Sequence, residues 1–208
     1  MQRKLFNQIP VLLPREKIFL RMGYSFGKTK LTGDLLNEVE RYLEDGQSLL
    51  DLRGVACRLD IEKITETETI FSNSISFDSA SVAEFLKGSC GILIFSATGG
   101  SRISQAISLR VKYDNMTAAV VFDALASEIV DSSLTWIMNY YNRQLSCQGL
   151  KLTSRRFSAG YGDFSITNQK KIYDCLNLFE FGVTITDNFM LLPEKTVTAI
   201  AGIERISQ

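Results

Sequence analysis

Apolar residues recur at helical spacing in several parts of the chain. The longest such pattern covers residues 115–145. Its first half, 118–129, is apolar nearly all round, which predicts a long helix with a central position. Leu35, Leu36, Val39 and Leu43 mark a helix over 34–43, with Gly46 at or just past its end. Residues 15–21 follow Pro14, which suits a first helical turn, and stop before Gly23. Ser81-Val82-Ala83-Glu84 has capping-box spacing and predicts a short helix ending at Gly88. Further helices are predicted over 103–111 and 165–178.

Strand patterns lie between and after the helices. Residues 49–64 and 68–75 are rich in β-branched side chains. Residues 90–97 form a compact apolar run, read as a buried strand. Shorter strands are predicted at 151–153, 183–186 and 189–192, and an alternating one at 196–203. Pro10 and Pro14 keep the first residues extended. Helices cluster early and in the middle, without steady βαβα alternation. The expected class is α+β with a largely antiparallel sheet. No repeat or linker divides the chain, so residues 1–208 are read as one domain with a mostly helical N-terminal part over 1–46.

Composition narrows the chemistry. The chain has 208 residues, with 45% apolar and 22% charged, enough for a sizeable core. Lysine plus arginine equals aspartate plus glutamate, 23 each, so no broad electrostatic footprint for nucleic acid is expected. There is no histidine. A Ser-His-Asp triad, a Cys-His dyad and a histidine metal site are therefore excluded. Cys57, Cys90, Cys147 and Cys175 are widely spaced without a CxxC pair, and read as buried small hydrophobes rather than metal ligands. No secretory leader and no membrane span are expected, and a cytoplasmic protein with reduced thiols is the simplest reading.

Several segments invite a functional reading. Gly23-Tyr24-Ser25-Phe26-Gly27-Lys28-Thr29 is one residue short of a phosphate loop and follows a helix, so a solvated turn is expected. Thr98-Gly99-Gly100-Ser101 follows a buried strand and precedes a helix, but lacks GxGxxG, and reads as a tight turn. Asp123 and Glu128 place carboxylates in an apolar helix, where each needs an ion-pair partner or a task.

The richest segment is Arg156-Phe157-Ser158-Ala159-Gly160-Tyr161-Gly162-Asp163. It joins a strand pattern to a helix pattern through a Gly-Tyr-Gly turn that exposes backbone to a ligand. Arg156 offers a planar fork for a carboxylate, and Tyr161 a flat face with a polar tip. Such a site suits a small zwitterion with an aromatic end.

This segment, followed by Gln169-Lys170-Lys171, resembles the activation domain of cobalamin-dependent methionine synthase, especially its short free-standing members. So does Gly182-Val183-Thr184-Ile185-Thr186-Asp187-Asn188-Phe189-Met190, with Pro193-Glu194-Lys195-Thr196-Val197-Thr198-Ala199-Ile200 behind it. The shared blocks fall within residues 115–203. The resemblance implies a C-shaped α+β domain with a twisted, largely antiparallel sheet and flanking helices. It implies that S-adenosylmethionine is bound. Arg156 matches the arginine that engages the methionine end, and Ser158 the small position whose backbone lines the site. Gly160 and Tyr161 match the Gly-Tyr pair, with the tyrosine beside the ribose. Glu128 matches an acidic residue on the long helix. Phe157 and Ala159 replace two family prolines, which is expected to loosen the segment.

The implied function is reactivation of methionine synthase, within methionine biosynthesis. S-adenosylmethionine is presented to an oxidised cobalamin while flavodoxin, or another one-electron donor, supplies an electron, and reductive methylation restores the cofactor. Family cobalamin modules supply a histidine in an Asp-x-His-x-x-Gly pattern. This chain has none, so the cobalamin is expected on a separate methionine synthase polypeptide. The chain is then a methyltransferase component, not active alone, with no catalytic residue and no metal of its own. The histidine count agrees, because a sulfonium leaves as a neutral thioether and needs positioning rather than acid or base. Two other readings compete. One is a corrinoid-protein docking or scaffold module that no longer binds S-adenosylmethionine. The other is an independent methyltransferase, for which no acceptor pocket with an acid-base group stands out.

Overall fold

The computed structural model describes residues 2–24 and 33–206. Most of the phosphate-loop-like segment, residues 25–29, lies outside them. The central sheet runs through β2 (Arg53–Ile64), β3 (Glu68–Phe71), β4 (Ile75–Asp78), β5 (Gly91–Thr98), β6 (Leu150–Leu152) and β9 (Thr196–Arg205). Its order is β4-β3-β2-β5-β9-β6, and β1 (Arg3–Phe6) also pairs with β2. Every pairing is antiparallel. A separate hairpin joins β7 (Thr184–Ile185) to β8 (Leu191–Leu192). The fold is mixed α+β, as the element pattern predicted. The N-terminal residues, read only as extended, form β1, because Arg3 to Phe6 find an open edge of β2.

The apolar run read as a buried strand is β5, held between β2 and β9 and buried along its whole length. Successive strand residues face opposite sides. Ile92 and Ile94 enter one core with Val55, Leu59, Phe164, Ile172 and Leu176. Leu93, Phe95 and Ala97 enter another with Leu134, Ile137 and Tyr141. Helices therefore cover both faces, which is why the segment alternates so little.

The α-helices among the described residues are α1 (Arg15–Arg21), α2 (Asp34–Leu49), α3 (Ala80–Phe85), α4 (Ser101–Lys112), α5 (Met116–Ser146) and α6 (Asn168–Leu176). The C-terminal half of α5 packs on the sheet. Its N-terminal half packs among α1, α2 and α4, with Phe122 and Leu125 fully or almost fully buried. Covered on several sides, it leaves a narrow stripe through Thr117, Asp123 and Ser127 at least partly exposed.

Local details depart from the sequence reading. Gly46 lies inside α2 rather than at its end, because an added Cβ would come 2.6 Å from Leu125 and 3.0 Å from Phe122. The close approach of α2 to α5 requires its small size. Ser79, not Ser81, caps α3, its hydroxyl accepting from the Val82 amide. The strand predicted over 68–75 divides at a 3-10 turn, Ser72–Ser74, into β3 and β4. α6 starts later than predicted, after a run of turns over 165–167. Cys57 and Cys175 are buried, but Cys90 and Cys147 are exposed rather than core residues.

Candidate functional site

The Gly-Tyr-Gly segment runs beside β9 and is tied to it by backbone. Phe157 and Ile200 exchange two amide-carbonyl bonds of 2.9 and 2.8 Å, and the Ser158 hydroxyl donates to the Thr198 carbonyl at 2.8 Å. The chain then turns. Gly160 has φ +95° and Gly162 φ +58°, conformations that glycine adopts without a Cβ penalty. The Gly160 amide donates to the Phe164 carbonyl at 2.7 Å, and the Phe164 amide returns a bond to the Tyr161 carbonyl at 3.0 Å. Phe164 anchors the turn from below, with its ring against those of Phe77 and Phe157.

Asp163 fixes the outer end. Its carboxylate accepts from the Ser79 hydroxyl at 2.6 Å and from the Ala80 and Ser81 amides at 2.7 and 3.1 Å. The Ser79 and Ser81 hydroxyls, helped by the two amides, hold its carboxyl down at about 2. The loosening expected from the missing prolines is thus opposed. Phe157 packs on Phe85 and Phe164, and the segment is bonded to β9 on one side and α3 on the other.

A cleft of about 730 Å3 opens above this segment. Arg156, Ser158 and Tyr161 line it, together with Gln169, Glu194, Thr198 and apolar residues of the β7–β8 hairpin and β9. Gly160 shapes the turn between Ser158 and Tyr161. Tyr161 is 69% exposed, so its ring is available to a ligand. Gln169 is buried, and its carboxamide oxygen accepts from the Thr198 hydroxyl at 2.9 Å. The volume falls in the range of small-molecule sites.

The long helix carries a polar stripe at intervals of four residues, of which Asp131 lines the cleft. Arg156 pairs with Asp131 and donates to the Thr135 hydroxyl at 3.3 Å. One and two turns earlier, Ser127 and Asp123 hold Lys195 at 2.9 and 2.6 Å. The partner that Asp123 needs is therefore Lys195. Glu128 is not brought to the cleft. It points to α1 and pairs with the Arg21 guanidinium at 2.6 Å. Asp131, three residues further, is the α5 carboxylate that lines the cleft.

Sequence reasoning missed Asp131, Gln169 and Glu194. Glutamine within Gln169-Lys170-Lys171 was legible as part of a motif, but its position on the cleft floor was not. Thr98-Gly99-Gly100-Ser101 is a tight turn: the Thr98 hydroxyl accepts from the Gly100 amide and bonds the Thr196 hydroxyl. A Cβ on Gly100 would come 2.8 Å from Asp51, leaving no room there.

No family model matches the chain. No curated protein matches its sequence. Among solved structures it is similar to the MetH reactivation domain bound to AdoHcy. The match covers 100% of this chain and 80% of that one, with a TM-score of 0.67 and 12% sequence identity. The two share a fold. At that identity the likeness concerns architecture, and the residues of the cleft carry the functional argument. Among the described residues no helix is long and apolar enough to cross a membrane.

Proposed function

We propose that the chain binds S-adenosylmethionine in the cleft lined by Arg156, Ser158 and Tyr161, with Gly160 shaping the turn. In this reading it is a cytoplasmic component of methionine synthase. It serves the reductive methylation of a cobalamin held by a partner polypeptide, with flavodoxin or another one-electron donor as reductant. The observation that carries the reading is the convergence of the cation, the small-residue turn and the exposed tyrosine on one cleft. The fold shared with a protein that holds AdoHcy supports it.

The side chains fit the ligand. Arginine has five N–H donors, and the bonds to Asp131 and Thr135 leave others for a carboxylate. Asp131, beside Arg156, suits the ligand ammonium. Tyr161 offers a face to the ribose or purine. S-adenosylmethionine supplies an activated methyl group, and the chain's task is to hold it in one orientation. No side chain needs to move a proton, because the departing thioether is neutral.

Calorimetric titration of S-adenosylmethionine into the purified chain, with S-adenosylhomocysteine alongside, tests this. Saturable binding with one site per chain is expected. No saturation at millimolar ligand would overturn it. That result would favour a corrinoid-protein docking module without the small ligand, a reading to which the Asp131 grip on Arg156 already lends weight. Such a module would still bind its cobalamin-bearing partner.

A further inference from the structure

The cleft has an uneven charge. Asp131, Arg156 and Glu194 are its ionisable lining groups apart from the tyrosine phenol. Asp131 and Arg156 neutralise each other through their ion pair. Glu194 has no ion-pair partner among the described residues. Its neighbour Lys195 does not compensate it, because Asp123 and Ser127 hold that ammonium against α5. The cleft therefore carries about one uncompensated negative charge at its Glu194 wall.

The ligand assigned to this cleft changes charge when it reacts. S-adenosylmethionine at neutral pH has a carboxylate, an ammonium and a sulfonium, for a net charge of plus one. When the methyl group leaves, the C–S bonding pair stays on sulfur. The sulfonium becomes a neutral thioether, and S-adenosylhomocysteine has net charge zero. The carboxylate and ammonium are common to both forms, so Arg156 and Asp131 cannot distinguish them by charge. Glu194 can.

We infer that Glu194 selects the sulfonium form, making the cleft prefer S-adenosylmethionine over S-adenosylhomocysteine and release the product once its charge is gone. The inference rests on the proposed ligand and deepens it. Glu194 is exposed, so its field is partly screened by water, and the selection is modest. Glu194 touches the cleft but no reacting atom is assigned to it, so its role is specificity.

Titration of wild type and Glu194→Gln with both ligands at low salt reads the effect. In the variant, affinity for S-adenosylmethionine is expected to fall by roughly 3- to 50-fold, the span between water-like and surface-like screening of a unit pair about 7 Å apart. Affinity for S-adenosylhomocysteine should change by less than about twofold. Equal losses for both ligands would assign Glu194 to the shared ammonium and overturn the inference, as would no loss for either. Failure of both ligands to bind the wild type would overturn the proposed function with it. A second reading needs no variant. The wild-type preference should shrink as salt rises, because the screening length falls from about 10 Å at 0.1 M to about 3 Å at 1 M. A preference unaffected by salt would count against Glu194.

Discussion

Truncating Arg156 separates its proposed binding role from its structural one. In the structure its guanidinium holds Asp131 and Thr135, and its side chain is 25% exposed, with that of Asp131 at 45%. An ion pair this wet contributes about 0–1 kcal/mol to folding. For a chain of this size 1 kcal/mol moves Tm by about 2–4 °C. Arg156→Ala should therefore lower Tm by no more than about 4 °C. A carboxylate gripped by charge-assisted hydrogen bonds is a larger matter, about 1.5–3 kcal/mol. That converts to a loss of S-adenosylmethionine affinity of about 10- to 150-fold. Arg156→Lys keeps the charge but not the planar fork, and should fall between wild type and alanine. The assay is calorimetric titration well below Tm, with a thermal melt of each variant. An Arg156→Ala protein that melts as expected but binds with unchanged affinity would remove the guanidinium from the ligand site.

Two further outcomes follow from the geometry. Asp163→Asn should loosen the Gly-Tyr-Gly turn and lower Tm, because the carboxylate is the shared acceptor for Ser79, Ala80 and Ser81. The native carboxyl lies below its ordinary 3.8, at about 2, so its contribution is complete above pH 3.8 and is lost as pH falls toward 2. The Tm gap between wild type and variant should then be constant at higher pH and close across that window. A gap that widens with acid would contradict the assignment. Gly46→Ala gains about 1 kcal/mol of helix propensity. It also forces a Cβ to within 2.6 Å of Leu125 and 3.0 Å of Phe122. Overpacking costs about 1–3 kcal/mol, and Phe122 is 1% exposed, with little room to yield. A net loss of about 1 kcal/mol, read as a Tm lower by about 2–4 °C, is expected. A rise in Tm would show that α2 and α5 have slack between them.

The candidate site was legible to the extent that it is local. Arg156, Ser158, Gly160 and Tyr161 sit within six positions, and the turn chemistry of glycine there is written in the sequence. The structure brings Arg156, Ser158 and Tyr161 to one cleft. The acidic partner was not legible. Asp123, Glu128 and Asp131 are all carboxylates of α5, and hydrophobic phase marks which positions are buried without saying which carboxylate faces the cleft. Which of them meets Arg156 depends on how α5 lies across the sheet. Glu194 had no signal beyond its place in a block, because an exposed glutamate beside a lysine reads as ordinary surface.

Alone, the sequence determined the chain's local grammar: the long helix, the buried β5, the alternating β9, the glycine turn, and the exclusion of histidine chemistry. These follow from short-range sterics and from the periods of 3.6 and 2 that burial imposes on helices and strands. Only the tertiary structure decided the pairing of β1 with β2, the need for glycine inside α2 and the charge balance of the cleft. Each depends on contact between residues far apart in the chain. Local periodicity can show that a side chain must be buried or paired, but the partner is chosen when helices and strands settle against one another.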